Sequence, residues 1–245
     1  VFVDGYYKLM NFDWKQESEI ANNVDDVWTQ TDVSEEKVRE NELNSTLGFN
    51  YMPKENHSLG MKYDITGYLD YNSDVSMEST VGLNGNRYDK LHNQSHAYYK
   101  NHLTHTLNGY YNGKVGDLSI NLNIDYYKQL YDYNSTTFEN SEDKENREIC
   151  SKNPVDNQLA AAKLIFEYPL LGGNLSFGSE YTYTLRSDDY LSYSETYIPT
   201  SYSKIREHNI AAFLEYQHAL FFGQFSAGLR YEQYDILQSF HSSNR

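Results

Sequence analysis

Histidines are the side chains of this sequence that most invite a chemical role. His92, His96, His102 and His105 lie in one short stretch, and histidine is a common metal ligand and acid–base group. Their spacing matches no CxxC, HExxH or other regular ligand pattern. His102 and His105 differ in parity, so in a strand they point to opposite faces. We therefore predict ordinary surface histidines, with no metal site and no cofactor.

The other reactive side chains form no catalytic pattern. The acidic stretches NSDVSMES and ENSEDKENRE do not match the calcium-loop consensus D-x-[DN]-x-[DN]-G. The sequence contains no GxSxG elbow and no P-loop. Cys150 is the single cysteine and lies in a polar stretch read as loop, so an intramolecular disulfide is impossible. We expect the protein not to be an enzyme.

Composition narrows the class of protein. The 245 residues include 35 acidic and 20 basic side chains and 25 tyrosines, and the mean hydropathy is −0.77. The sequence has no apolar run long enough for a membrane-spanning helix, but a β-barrel is not excluded because its interior residues dilute the hydropathy. The net charge of −15 argues against nucleic acid as a partner, since its phosphates would be repelled.

Alternation of apolar and polar residues is the strongest structural signal. In segment 118–126 the even-numbered residues are leucine, isoleucine or tyrosine, and most odd-numbered residues are serine, asparagine or aspartate. Such a period of two over about ten residues is typical of a transmembrane β-barrel strand. The hairpin 160–187 repeats the pattern, with Ala162, Leu164, Phe166 and Tyr168 on one arm and Leu175, Phe177, Tyr181, Tyr183 and Leu185 on the other. We predict that these side chains face lipid and that their alternates line an aqueous interior.

The alternating segments recur as a repeat. Strand, short turn, strand and long loop follow one another four times between residues 43 and 237, and short turns at one end with long loops at the other are typical of outer-membrane barrels. Residues 1–42 are expected to be one strand followed by a polar loop. The whole chain, 1–245, is expected to be one partial barrel domain without a plug.

Tyrosine positions predict two aromatic girdles, because amphipathic rings settle at membrane interfaces. The predicted lower girdle is Tyr51, Tyr111, Tyr168 and Tyr216, and the predicted upper girdle is Tyr71, Tyr131, Tyr183 and Tyr234.

Two sets of side chains are candidates for function. Seven charged residues alternate with the apolar set and are predicted to face the lumen, where opposite charges pair across strands and hold the wall. Four loop tyrosines are candidates for stacking on a sugar or a chelate. The lumen-facing charges are Lys163, Glu167, Glu180, Arg186, Glu215, Arg230 and Glu232, and the loop tyrosines are Tyr190, Tyr193, Tyr197 and Tyr202.

Two segments carry a family resemblance. KLIFEYPLLGGNLSFGSEYTYTL and EHNIAAFLEYQHALFFGQFSAGLRYEQYD resemble hairpins from the outer-membrane β-barrel of Bacteroidetes TonB-dependent receptors. The resemblance spans roughly residues 43–237, and GLRYE is its most specific marker. The matching residues are Lys163, Tyr168, Pro169, Leu170, Leu175, Gly178 and Tyr181 in the first hairpin, and Glu207, Ile210, Ala211, Ala212, Phe225, Gly228, Leu229, Arg230, Tyr231 and Glu232 in the second.

The resemblance implies a fold and a function. It implies an all-β, antiparallel up-and-down transmembrane barrel of about 22 strands with a plug, of which this chain supplies about eight to eleven strands. Because no plug or TonB box is evident in the sequence, we expect a slice of a larger receptor in the cell outer membrane. The implied function is uptake of a nutrient of the siderophore, cobalamin or glycan class. The implied partners are outer-membrane lipid, that small-molecule or glycan substrate, and the TonB complex through a plug not present in this chain.

Periodicity alone leaves two other interpretations open. A soluble, secreted, tyrosine-rich β-sandwich or adhesin would show the same alternation with the apolar faces packed as a core. An outer-membrane barrel enzyme, such as a lipase or protease, would need a clustered Ser/His/Asp set in its loops, and no such set is evident. The deciding observation is whether Leu118, Ile120, Leu122 and Ile124 pack against a second protein layer.

Overall fold

A computed structural model describes residues 1–22, 26–194 and 198–242, and these residues form one sheet of nine strands. The strands are β1 (Phe2–Asn22), β2 (Trp28–Lys54), β3 (His57–Leu83), β4 (Asn86–Val115), β5 (Leu118–Ser141), β6 (Arg147–Leu170), β7 (Gly173–Ser192), β8 (Ser201–Leu220) and β9 (Gly223–Ser242). Each strand pairs antiparallel with its sequence neighbours, in the order β1 to β9. The predicted up-and-down antiparallel fold is confirmed, with a strand count inside the predicted range. Among the described residues, no helix has the length and apolarity needed to cross a membrane.

The strand register places the predicted apolar residues on one continuous face. Residues directly opposite each other in an antiparallel pair share a face. One such row joins Met61, Ile124 and Tyr181 through their neighbours and crosses most of the sheet. The row is Phe49, Met61, Gly109, Ile124, Ala162, Tyr181 and Ile210. The alternation read from the sequence is therefore a property of the whole sheet.

No second protein layer covers this apolar face among the described residues. The exposed fraction is 48% for Ile124, 47% for Leu214 and 45% for Met61. A β-sandwich would bury such a face against another sheet. The described residues that are both apolar and buried are Val38, Ala97, Val155 and Ala211, and none of them lies on the apolar face. An exposed apolar face is what a lipid-facing barrel wall presents.

The apolar face ends at a defined height above the short turns. On β2 to β5 the last apolar or glycine row is Leu43, Gly67, Leu103 and Leu130, and the next outward residues are Asn41, Asp70, Lys100 and Asp132. We call the outward residues below this line the apolar band and the strand segments above it the polar extension. The band is about ten residues tall on each strand, which matches the length that a tilted β-strand needs to span a membrane.

The polar extension corrects the prediction of long loops. Residues 28–42, expected as a polar loop, form the upper half of β2 and pair with both β1 and β3. The β3–β4 connection is the two-residue turn Asn84–Gly85, with φ values of 52° and 78°, and Cys150 lies within β6. Above the membrane both faces of a strand are wet, so the apolar alternation fades although backbone pairing continues.

The connections at the other end are short, as predicted, with one change in detail. The β6–β7 turn contains Gly172 and Gly173, and glycine is the residue that adopts positive φ most readily. Positive φ occurs at Leu171 (50°) and Gly172 (77°), which is the type I′ arrangement that matches the twist of a two-residue hairpin. Leu171 is 85% exposed, so packing of its side chain does not offset the strain of its positive φ.

The sheet curves toward its polar face. Val38, Ser73 and Ala97 form one row on that face and are only 4%, 4% and 7% exposed. Their chain neighbours Lys37 and Asp74 point outward and are exposed. Crowding on one face only is what curvature produces on the concave side, so the polar face is the interior of the wall.

The two predicted tyrosine girdles have different outcomes. Tyr51, Tyr111, Tyr168 and Tyr216 all share the apolar face close to the short turns. In the predicted upper girdle only Tyr183 lies on that face. Tyr71, Tyr131 and Tyr234 lie on the concave face, because a register shift in β3 reverses the parity of Tyr71 and because the other two have the parity of interior residues.

Candidate functional site on the concave face

Four of the predicted lumen-facing charges form one network on the concave face. Glu180 of β7 lies 3.7 Å from the Nζ of Lys163 on β6 and 3.5 Å from the guanidinium of Arg230 on β9. Arg230 also lies 3.3 Å from its own-strand neighbour Glu232, as expected for residues two apart in a strand. The sequence could not name the partner of Arg230, and the structure identifies it as Glu180.

The network crosses β8 above Ala211. This residue lies opposite both Glu180 and Glu232 and is 1% exposed. A small side chain is needed there because the longer side chains of the flanking strands meet over it. The four charged groups remain between 33% and 45% exposed, so they are accessible to water and to any group that enters the interior.

The other three predicted charges lie apart from this network. Glu215 accepts hydrogen bonds from the side chains of Gln217 and Ser226, both at 2.8 Å. Glu167 lies near the short-turn end, in a recess of about 400 Å³. Arg186 lines a different concave recess of about 460 Å³, together with Tyr127, Asn157, Thr184 and Asp188. The seven charges predicted as one lumenal set therefore occupy four separate local environments.

The predicted loop tyrosines do not form one site. Tyr190 belongs to β7 and points to the concave face, whereas Tyr202 belongs to β8 and points outward, where its ring stacks on His241 at 6.3 Å. Tyr193 is 70% exposed in the β7–β8 connection, and its N–H donates to the carbonyl of Cys150 at 2.9 Å. Tyr197 lies outside the described residues.

An aromatic cluster that the sequence reasoning missed lies on the concave face where the apolar band ends. Tyr99 is at its centre, with ring centroids 4.8 Å from Tyr71 and 5.1 Å from Tyr133. The other rings around Tyr99 are 5.0 to 6.5 Å away. We call this set the aromatic cluster: Tyr68, Tyr71, Tyr99, His102, Tyr131 and Tyr133.

Irregularities in two adjacent strands assemble the cluster. Between Tyr68 and Tyr71, β3 carries one residue more than β2, and β4 carries one residue more than β5 near His102. Each extra residue is a β-bulge that re-aims the side chains above it. Tyr71 and Tyr99 consequently face inward instead of following the parity of the strand below. The dense tyrosines at 68–71, 98–99 and 131–133 were the available signal, but their common orientation depends on bulges that periodicity does not show.

Carboxylates accompany the cluster on the same face. Glu40 lies opposite Tyr71 and Glu42 lies opposite Tyr68, and Glu40 is only 8% exposed. Tyr71 lies above the apolar band, and burial, followed by the charge of Glu36, raises its pKa to about 12. The Tyr71 hydroxyl is therefore protonated at neutral pH and available as a donor beside anionic acceptors. Rings with adjacent carboxylates can stack on a planar or sugar-like ligand and accept hydrogen bonds from its hydroxyl or amino groups.

The histidines are divided between the two faces, as their parity predicted. His102 belongs to the aromatic cluster, whereas His105 lies on the apolar face with Nδ1 2.6 Å from the hydroxyl of Tyr63. His57 and His208 also contact tyrosine hydroxyls, at 2.7 and 3.0 Å. A hydroxyl partner lowers the cost of placing an imidazole at a lipid-facing position. Within the described ranges no group of three or more metal-ligating side chains converges.

Comparisons with known proteins place the chain in a family. No curated protein matches it. Among solved structures, OmpTΔL8, a loop L8 deletion mutant of the Vibrio cholerae outer membrane protein OmpT, aligns over 97% of this chain and 99% of its own, with 8% identity and a TM-score of 0.15. At that score the two folds do not superimpose, and nothing further follows from the likeness. The model of the outer membrane protein beta-barrel family matches residues 112–245, more than half of the chain, so this protein belongs to that family and resides in the outer membrane.

Proposed function

We propose that this chain forms part of the wall of a TonB-dependent receptor that takes up a scarce nutrient. One observation carries the proposal: the wall is apolar outside and carries, on its concave side, the aromatic cluster backed by carboxylates. A simple water-filled pore needs a polar lining but no six-ring surface at the level where the strands leave the membrane. Such a surface suits recognition of a ligand that enters from the polar extension.

The chemistry of this surface favours one ligand class. Glu36, Glu40 and Glu42 share the face of the aromatic cluster, and a negative interior repels anionic chelates. Neutral, hydroxyl-rich ligands can stack on the rings and donate hydrogen bonds to the carboxylates. Among the siderophore, cobalamin and glycan classes we therefore propose a glycan.

The charge network supports the receptor assignment in a second way. Lys163, Arg230 and Glu232 are residues that carry the resemblance to TonB-dependent receptors, and all three belong to the network centred on Glu180. Their partly exposed charged groups can stabilise the wall by pairing across strands, and they can also contact a plug. Coupling to the TonB complex is part of the proposal, and the lack of enzymatic activity remains a prediction.

The proposal is tested by uptake in cells that express the full-length protein. Oligosaccharide uptake is measured with and without a functional TonB system, and with Tyr99→Ala compared to Tyr98→Ala. Tyr98 is adjacent in sequence and points to the outer face, so it is a matched control. We expect TonB-dependent uptake, a loss of about two- to tenfold in apparent affinity for Tyr99→Ala, and no change for Tyr98→Ala.

Two outcomes would contradict the proposal. Uptake that continues unchanged without TonB would identify a passive pore. Equal effects of the two tyrosine substitutions, at equal surface abundance, would remove the aromatic cluster from ligand recognition.

A further inference from the structure

The outer face of β8 changes abruptly from apolar to cationic. Going up the strand, Leu214, Ala212 and Ile210 are followed on the same face by His208, Arg206 and Lys204. The last three are all exposed. They therefore lie at the top of the apolar band, at the height where lipid headgroups meet the wall.

The two permanent cations of this column have no protein counter-ion among the described residues. Arg206 lies between Leu185 and Leu237, and Lys204 lies between Ser187 and Ser239. Asp235, which lies opposite His208 on the same face, makes no ion pair with either of them. In a chain with a net charge of −15, the positions directly opposite these two cations carry only leucine and serine, which leaves both cations available to an anion from outside the protein.

Some other outward cations of the polar extension are paired within the protein. Lys152 lies 2.8 Å from Asp132, and Lys15 contacts Glu35. The β8 column differs from these paired cations because, within the described part of the chain, neither Lys204 nor Arg206 has such a partner.

We infer that Lys204 and Arg206, with His208 beneath them, form a binding site for the phosphate-bearing headgroup of an anionic membrane lipid. Arg206 lies opposite Leu185 and Leu237, and a long basic side chain at a membrane interface can extend along such apolar neighbours and place its charged group at the headgroup level. A guanidinium fork binds phosphate oxygens in a bidentate manner, and lysine adds a second positive charge. Leu185 and Leu237 provide apolar contacts for the upper part of the acyl chains. This site faces lipid and is independent of the proposed transport site on the concave face.

The chain offers a matched control on β2. Lys37 and Arg39 have the same spacing, exposure and outward direction, and they follow the last apolar residue, Leu43, at the same interval as Lys204 and Arg206 follow Ile210. Their surroundings differ, because Lys37 lies between Asp13 and Asp74. These carboxylates offset the positive potential there, so this column should not select an anionic lipid.

The test uses the full-length protein in nanodiscs that contain equal amounts of phosphatidylglycerol and phosphatidylcholine. Native mass spectrometry counts the lipids retained after mild release. The variants are Lys204→Gln/Arg206→Gln, the control Lys37→Gln/Arg39→Gln, and the charge-preserving exchange Lys204→Arg/Arg206→Lys. Because all these positions are exposed, retained heat-modifiability on gels serves as the check that each variant folds.

We expect wild type, the β2 control and the charge-preserving exchange to retain phosphatidylglycerol selectively. The Lys204→Gln/Arg206→Gln variant should lose affinity for this lipid about fivefold for each removed charge. Equal losses in the β2 and β8 glutamine variants would show general electrostatic attraction and overturn the site. No loss in the β8 variant, or loss in the charge-preserving exchange, would overturn it as well.

Discussion

The lower and upper parts of the same strands differ in outward chemistry but not in backbone pairing. In β5, the outward residues Ile120, Leu122 and Ile124 lie in the apolar band, whereas Asn134 and Thr136 lie in the polar extension. Pairing with β6 continues without a register shift through both parts. Backbone hydrogen bonding therefore determines how far the sheet extends, and the outward side chains determine which part of the sheet lies in the membrane.

The uncovered apolar band also argues against the soluble β-sandwich, which the periodicity of the sequence left open. A soluble β-sandwich would need a covering layer over the apolar band, and the family assignment places the chain in the outer membrane instead. The partly exposed state of residues such as Ile124, at 48%, is then the state of a side chain in contact with lipid. The same exposure in the polar extension means contact with water.

The largest effect is expected from a charge placed in the apolar band. Ile124→Arg puts a guanidinium among lipid chains and should lower the free energy of unfolding by about 2–4 kcal/mol. Thr136→Arg, on the same strand and the same outward face but in the polar extension, should change it little. Urea titration of the full-length protein in lipid vesicles measures both. Equal destabilisation by the two substitutions would mean that the band and the extension share one environment.

A smaller effect on stability is expected when a larger side chain is placed on the concave face and not on the outer face at the same height. Ala211→Leu overfills the concave position beneath the network centred on Glu180, and such overpacking costs about 1–3 kcal/mol. Ala212→Leu points outward into lipid and should be neutral. Thermal unfolding of the two variants provides the measurement. Stability unaffected by Ala211→Leu would contradict the tight packing implied by its 1% exposure.

The aromatic cluster should make the polar extension sensitive to alkali. The pKa of Tyr71 is raised from its usual value of 10.0 to about 12, so the folded state favours the protonated hydroxyl. This contribution to stability is fully present below about pH 10 and is lost as the pH rises toward 12, because the unfolded chain ionises first. Hydrogen exchange at alkaline pH should show the extensions of β3 and β4 opening before their membrane segments, and Tyr71→Phe should delay that opening. The same opening in wild type and Tyr71→Phe would exclude this hydroxyl as the cause.

The smallest effect is expected at the rim. Arg87 contacts Glu142 and lies 3.0 Å from Asp143, which ties the start of β4 to the β5–β6 connection. The hydrogen bond from Arg87, followed by that from His92, holds the pKa of Glu142 below its usual value of 4.5. The contact is therefore present at neutral pH and is lost as the pH falls through that lowered value. Arg87→Gln should raise proteolytic cleavage at residues 142–146 by no more than a few-fold at neutral pH, and cleavage at residues 54–57 serves as the internal control.

Sequence reasoning predicted the membrane part of the fold well and the extramembrane part poorly. Alternation identified the faces of segments such as 118–126 because only one face there is apolar. It read residues 28–42 as loop because both faces of β2 are hydrated at that height, and nothing in the hydropathy marks the continued pairing. Strand segments above a membrane are therefore shown by the strand pairing of the structure, and the hydropathy pattern of the sequence does not predict them.

The candidate site shows the same limit. The charges Lys163, Glu180 and Arg230 were assigned to the concave face from parity alone, since β6, β7 and β9 have no register shift in that region. The aromatic cluster was missed because bulges near Tyr68 and His102 change the orientation of the residues above them. Predicting it would require knowing where the strands carry an extra residue, which depends on the pairing of the four strands β2 to β5.

The most direct test of the membrane account is the accessibility of spin labels on the two faces of β5. In full-length protein with Cys150→Ser, a single label is placed at Ile124, at Asn123 or at Thr136 and the protein is reconstituted in vesicles. Collisions with oxygen, which dissolves in lipid, are compared with collisions with a water-soluble nickel complex. The account predicts that oxygen dominates at Ile124 and the nickel complex at Asn123 and Thr136. A label at Ile124 that is shielded from both reagents would place protein against the apolar band and contradict the account.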